Sequence, residues 1–411
     1  MSWICSRLSF IALFFSICGL YLLSFYFDLK IENILNFRVA YKVVPWRMSD
    51  NKTLKTILFW EGMFGDKTFY FGENDIFLNC PVNECYATYD SSYINVEDFD
   101  AILFHGAELD SFNLPEKRTT KQYYFFVNLE SPVNRPIQDT FFEEYFNATM
   151  TYRLDSDVVW PYGIVRDLES DKIVAPSTDI VWDIPDENED NSKLSSTLHA
   201  KDSTLTNTIA DKSKEVAWLV SNCPAKSGRW EYVTELSKYI GVDIYGSCGD
   251  RYACPYSRDC FRELFEPNYF FYLSFENSLC QDYVTEKLYK AMRYDMIPIV
   301  YGGANYSRFA PPISYIDVLN YDSPQDLAKF LKKLIANPRE YRKYFRWKKR
   351  YRVEHSIFST ACNLCMFLHA RNESKTYAPL SDWYSYEKCP LQTLLSAQRY
   401  VTKVALKDDT N

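Results

Sequence analysis

Short apolar runs recur along this chain, separated by amphipathic or polar stretches. Seven of them, at 56–61, 101–105, 123–129, 216–221, 242–246, 269–275 and 297–301, are rich in β-branched and aromatic residues. They lack the strict alternation of a half-exposed sheet, which is the pattern of parallel strands covered on both faces. Helical spacing follows several of them. Between 229 and 239, for example, Tyr232, Val233, Leu236 and Tyr239 fall on one face before Gly241 ends the element. Strand and helix alternation of this kind predicts parallel sheets in an α/β fold. The stretch 167–213 is rich in Asp, Glu, Ser, Thr and Asn and has little periodicity, so it reads as a connection between domains with an exposed insertion. The basic run 342–352 reads as the solvated face of a late helix.

One segment follows neither period. Residues 8–27 carry no charge over twenty positions, enough to cross a bilayer. A cleaved signal peptide is the competing reading, but the run exceeds a usual signal core and no small-x-small cleavage site follows it. Arg7 and the terminal amine precede it, while Asp28, Lys30 and Glu32 follow, which places the N-terminus in the cytoplasm and the remainder in the lumen. Cysteine use agrees with that topology. Two of the twelve cysteines, Cys5 and Cys18, lie in the tail or the anchor, and the other ten lie beyond it, an even number suited to disulfides in an oxidising compartment. Zinc is the rival for Cys362-x-x-Cys365 and Cys254-x5-Cys260, and the compartment argues against it. Four sequons, at Asn51, Asn147, Asn305 and Asn372, gain meaning once the chain is translocated.

Composition narrows the picture further. With 411 residues, 47% of them hydrophobic and 17% aromatic, the chain can bury a large core of two or three domains. A net charge of −8 gives no footprint for nucleic acid.

The candidate chemistry lies in 269–301. The apolar run 269–275 ends in Glu276, Asn277 and Ser278, followed by Asp282, Tyr283, Thr285, Glu286 and Lys287. Ligands of open α/β sheets sit outside the carboxyl ends of the strands, where these residues fall. Thr285 is placed to cap the next helix, with Glu286 and Lys287 in its first turn, a seat for a diphosphate.

The run FENS followed by DYVTEKL resembles the signature of the α1,3-fucosyltransferases, glycosyltransferase family 10, and the cysteine cluster from Cys248 to Cys280 resembles its invertebrate, nematode-like branch. The segments 145–163 (YFNATMTYRLDSDVVWPYG), 128–132 (NLESP) and 217–229 (AWLVSNCPAKSGR) resemble the same family, so the likeness covers roughly 56–370. It implies a GT-B fold, two Rossmann-like α/β domains facing a cleft, here preceded by an N-terminal transmembrane helix. The implied layout is a cytoplasmic tail at 1–7, an anchor at 8–27, a stem at 28–55, an acceptor-side domain at 56–165, a polar connection at 166–214, a GDP-fucose domain at 215–375 and a C-terminal extension at 376–411. The implied protein is a single-pass type II Golgi membrane enzyme with its catalytic part in the lumen.

The implied reaction is inverting transfer of L-fucose from GDP-fucose to the 3-hydroxyl of a GlcNAc residue. One displacement needs a base for the acceptor hydroxyl and positive charge for the departing diphosphate. By resemblance, Glu130 is the base, Arg229 and Lys287 meet the diphosphate, and Glu286 holds the fucose and favours its oxocarbenium-like transition state. Tyr162, Ser221, Asn222, Tyr272, Asn277 and Tyr283 match other donor contacts. His105 is an acceptor contact together with Glu130. The resemblance also implies that the Cys80 and Cys85 region is tied to Cys362 and Cys365. No tightly bound cofactor is implied, and stimulation by Mn2+ or Mg2+ is left open. Asp155-Ser156-Asp157 has the form of a metal-binding D-x-D, but its family counterpart holds no catalytic metal. Two departures from the family are Cys223 after Ser-Asn and Tyr301-Gly302-Gly303 in place of Leu-Gly-Pro. The acceptor stays open among a core N-glycan GlcNAc, an N-acetyllactosamine antenna and its GalNAc analogue. The alternatives are a catalytically silent luminal glycan-binding protein and a GT-B transferase for another nucleotide sugar.

Overall fold

The computed structural model describes residues 54–137, 140–185, 209–255, 257–370 and 379–392. The anchor segment 8–27 and the sequons at Asn51 and Asn372 lie outside them, and among the described residues no helix is long and apolar enough to cross a membrane.

Two parallel sheets form the framework. The first has six strands, β1 (Lys55–Trp60), β2 (Cys85–Thr88), β3 (Ala101–His105), β4 (Tyr123–Asn128), β5 (Ala148–Thr151) and β6 (Val158–Val159), in the order β2-β1-β3-β4-β5-β6. Its central strands β3 and β4 are buried at every position, as their unbroken apolar runs require. Ala101 pairs with Tyr123 and His105 with Val127, so His105 and the residues after Asn128 emerge at the same edge. In the second sheet, β9 (Lys214–Leu219), β10 (Val242–Tyr245), β11 (Tyr269–Phe275), β12 (Ile297–Tyr301) and β13 (Ile316–Asp317) run in the order β10-β9-β11-β12-β13. The strand order reverses between β9 and β11, and the crevice beyond their carboxyl ends is where such a sheet holds a ligand.

Two expectations are corrected and that of the polar connection gains detail. The helix expected over 229–239 is α1 (Arg229–Leu236) and stops well short of Gly241. Beyond Ser237 the backbone bonds tighten to i−3, Lys238 N–H to Glu235 O at 3.1 Å and Tyr239 N–H to Leu236 O at 2.9 Å, so the helix closes in a turn. The polar connection is partly ordered: β7 (Ile164–Asp167) and β8 (Ile173–Ala175) form an antiparallel sheet with β14 (Tyr351–Glu354). The basic run is helical only in its first part: Arg342 and Lys343 end the helix Pro338–Lys343, Arg346–Lys349 forms a single tighter turn, and β14 follows. Three of its cations are paired: Arg350 with Asp167 at 2.6 Å, Arg352 with Asp171 at 2.7 Å and Lys348 with Asp295 at 2.7 Å. Acidic residues of the β7–β8 hairpin draw the run into the third sheet.

Helix α2 (Glu286–Met292) packs on β11 and β12 in the second sheet. The last long helix, α3 (Ile357–Ala370), returns to the first sheet and enters its core beside Phe125 and Met150. Disulfides Cys80–Cys362 and Cys85–Cys365 fasten it there, the pairing that the resemblance implies. The remaining bridges are Cys223–Cys248, Cys254–Cys260 and Cys280–Cys389.

Candidate active site

Arg229 opens α1 just beyond β9. Gly228, in the left-handed region at φ 79°, turns the chain so that the side chain points back between β9 and β11. The guanidinium is buried and donates to Phe275 O and Asn222 O, both at 2.7 Å, while its Nε has no partner. Burial lowers its pKa, opposed first by the charge of Glu276. Ser221 and Asn222 lie exposed on the preceding loop. Ser221 lines a cavity of about 520 Å³ with Gly246, Arg251, Arg258, Phe261 and Lys290, and the Cys254–Cys260 bridge closes one side of it. Three cations and no carboxylate border this space. Tyr272 is buried in the strand, its ring 4.8 Å from that of Phe261.

A charged cluster lies beyond β11. Glu276, with 1% of its side chain exposed, accepts from the Thr285 backbone N–H at 2.8 Å and from its hydroxyl at 2.9 and 3.0 Å. The Lys287 ammonium donates to Thr285 Oγ1 at 2.8 Å and Glu286 Oε1 at 3.0 Å, and lies 3.4 Å from Glu276. Thr285 therefore occupies the cap position of α2 without capping it, because its hydroxyl is engaged by Glu276 and Lys287 instead. Burial raises the Glu276 pKa against the Lys287 charge. For Lys287, burial lowers the pKa but Glu276 and Glu286 outweigh it. For Glu286, burial raises it and Lys287 outweighs that, leaving it low.

Glu130 faces this cluster from the first sheet. Its backbone is held tightly: its N–H donates to Asn128 Oδ1 at 3.0 Å, the Tyr384 hydroxyl donates to its carbonyl at 2.5 Å, and the Tyr162 hydroxyl donates to Leu129 O at 2.5 Å. Its Oε2 accepts from Tyr283 and from Asn134, both at 3.3 Å. Tyr162 and Tyr283 stand between the two sides. Burial, then nearby negative charge including Glu130, Glu276 and Glu286, raises both phenol pKa values far above the usual range, so both stay protonated donors. Gly163 completes the Pro-Tyr-Gly turn because a Cβ there would lie 2.4 Å from the Tyr289 ring of α2.

The structure thus brings Glu130, Tyr162, Arg229, Tyr283, Glu286 and Lys287 to one region. Asn277 lies beside it, its Oδ1 accepting from Ser278 at 3.2 Å. His105 is further back and buried; Nδ1 pairs with Glu108 at 2.7 Å, and Nε2 has no partner. Tyr272 contributes as a core aromatic behind the cavity. Asp155 pairs with Arg153, and Asp157 accepts from Thr149 N–H at 3.0 Å, so the two carboxylates of D-x-D do not converge on one point. Among the described residues, Cys85, Cys365 and His369 form the one group within metal-ligand reach, and its two sulfurs share a disulfide. Asn147 does not fit a glycan: it is buried, and its amide bonds Tyr124 N–H at 2.6 Å and Gln122 O at 2.9 Å. Asn305 is exposed.

Sequence reasoning missed the C-terminal brace. Tyr384 reaches Glu130 and also accepts from Asn128 at 3.1 Å, Cys389 bridges to Cys280, and Gln392 donates to Lys226 O at 2.5 Å. No periodicity in 379–392 signals this role. Nor does sequence signal the hydroxyl contact at 2.7 Å between Ser131 and Ser278, which ties the two strand-end loops.

Residues 209–383 match glycosyltransferase family 10 (fucosyltransferase) C-term, and 52–163 match fucosyltransferase, N-terminal. The chain is 36% identical over 355 residues to alpha-(1,3)-fucosyltransferase C of Drosophila melanogaster, covering 83% of this chain and 80% of that one. It is 31% identical over 367 residues to human 4-galactosyl-N-acetylglucosaminide 3-alpha-L-fucosyltransferase 9, covering 82% and 90%. A crystal structure of an alpha1,3-fucosyltransferase aligns with a TM-score of 0.48 at 15% identity, over 79% of this chain and 93% of that one.

Proposed function

This chain belongs to glycosyltransferase family 10, the fucosyltransferases, and from that premise we propose that it transfers L-fucose from GDP-fucose to the 3-hydroxyl of a GlcNAc residue on a glycan. In this reading the two parallel sheets are the halves of a GT-B fold. The cavity beside Ser221 takes the nucleotide, with Asn222, Tyr272 and Asn277 shaping the donor side. Its cations and lack of carboxylates suit an anionic ligand.

The reaction is one displacement. Glu130 takes the proton of the acceptor hydroxyl as that oxygen bonds to the anomeric carbon, and the carbon's bond to the diphosphate oxygen breaks on the opposite face. Charge building on GDP is met by Arg229, whose buried Nε–H is unpartnered, and by the Lys287 ammonium. Glu286 lies beside the sugar and stabilises its positive character. Tyr162 and Tyr283 position Glu130 against the donor. His105 and Glu130 form the acceptor side. The observation that carries this reading is the convergence of Glu130, from one sheet, and Glu286, from the other, on the same pair of tyrosines, one of which donates to Glu130.

The five disulfides and the uncharged segment 8–27 support a type II protein with its catalytic part in the Golgi lumen. The test is a donor panel with a core N-glycan and an N-acetyllactosamine acceptor. Transfer from GDP-fucose alone is expected, and transfer only from another nucleotide sugar would overturn the reading.

A further inference from the structure

Glu276 is a buried carboxylate for which neither the reaction nor the fold has an obvious need. Helix α2 could be capped by Thr285 alone, and placing an ionisable group where no water reaches it is costly without a partner. Its contacts all lead one way. Both oxygens bond Thr285, one of them also lies 3.4 Å from the Lys287 ammonium, and Lys287 in turn donates to the Thr285 hydroxyl at 2.8 Å. The hydroxyl proton is directed at Glu276 and a lone pair at Lys287, which fixes the rotamer of Thr285. Exposure separates the two carboxylates around that ammonium. Glu286 has 58% of its side chain exposed and Lys287 21%, whereas Glu276 has 1%. Glu286 can turn away toward a ligand, and Glu276 has nowhere to go.

We infer that Glu276 is a positioning residue, the fixed rear anchor that holds Lys287 through Thr285 while the ammonium exchanges Glu286 for the oxygens of the departing diphosphate. This rests on the reading that Lys287 meets the diphosphate. Without the anchor the ammonium follows its flexible stem, and misplacement by an ångström is enough to lose most of its effect on the transition state.

The test is a double-mutant cycle on the full chain, measuring kcat, KM for GDP-fucose and thermal midpoint. Glu276→Gln should lower kcat by about 10- to 100-fold, with a smaller change in KM. In a Lys287→Ala background the same substitution should cost less than about twofold more, because the group it positions is gone. Thr285→Val should behave like Glu276→Gln, and Thr285→Ser should restore most of what Val loses; this pair decides the matter if Glu276→Gln does not fold. Equal losses of kcat in both backgrounds, accompanied by a lowered thermal midpoint, would mean a structural role and overturn the inference. Unchanged kcat in Glu276→Gln or Thr285→Val would overturn it too. If Lys287→Ala itself leaves kcat and GDP affinity intact, the diphosphate role of Lys287 falls first and this inference with it, an outcome distinct from the additive one.

Discussion

Tyr283 donates its hydroxyl to the Glu130 carboxylate at 3.3 Å, across 153 positions of sequence. The tyrosine belongs to the loop after β11 and the glutamate to the loop after β4, so one hydrogen bond couples the two sheets at the reacting group. Tyr283→Phe keeps the ring against Tyr152, 4.9 Å away, and removes only the hydroxyl. A net loss of about 1 kcal/mol, roughly five- to tenfold in kcat, is expected, with the thermal midpoint little changed. Steady-state kinetics of the variant beside a melting curve checks it.

The C-terminal brace should matter as much as the motif residues. Tyr384→Phe leaves the Glu130 carbonyl without its hydroxyl donor and Asn128 without its acceptor, and should lower kcat with modest loss of stability. Cys389→Ser opens a bridge joining positions 109 apart, and about 2–4 kcal/mol of stability should go with it. Chemical denaturation of the two variants separates these effects.

Glycan occupancy should divide the sequons. Asn305 is exposed, whereas Asn147 is buried with both ends of its amide bonded inside the first sheet. Glycopeptide mass spectrometry of the chain expressed through the secretory pathway of a eukaryotic host should find Asn305 modified and Asn147 bare.

His105 should make stability depend on mild acid. Burial lowers its pKa, and Arg135 acts in the same direction, while Glu108 and Glu130 oppose. With the folded value below the unfolded one, near 6.5, the unfolded chain binds the extra proton in that interval. Stability from this group is therefore full above about 6.5 and falls as pH drops toward the folded value. His105→Gln should flatten that part of a plot of thermal midpoint against pH.

Much of the framework was legible because buried parallel strands announce themselves. The runs at 101–105, 269–275 and 297–301 coincide with β3, β11 and β12, short, almost wholly buried runs rich in β-branched and aromatic residues. Short edge strands such as β6 and β13, two residues each, carry no such signal. The end of the basic run was misread for a physical reason: Arg350, just before β14, and Arg352, within it, are held by Asp167 and Asp171, about 180 residues away, and a local pattern cannot record distant partners. The same holds at the site. Glu130, Glu286 and Lys287 stand next to strand ends and could be picked out, but Tyr384 and Ser131 gain their roles only from contacts that the fold creates.

The most direct measurement is Glu130→Gln, with transfer from GDP-fucose and binding of GDP followed on the same preparation. Loss of the base should lower kcat by about 100- to 10,000-fold while GDP affinity stays within about twofold, since Glu130 belongs to the acceptor side. Transfer that survives near the unmodified rate would contradict Glu130 as the base.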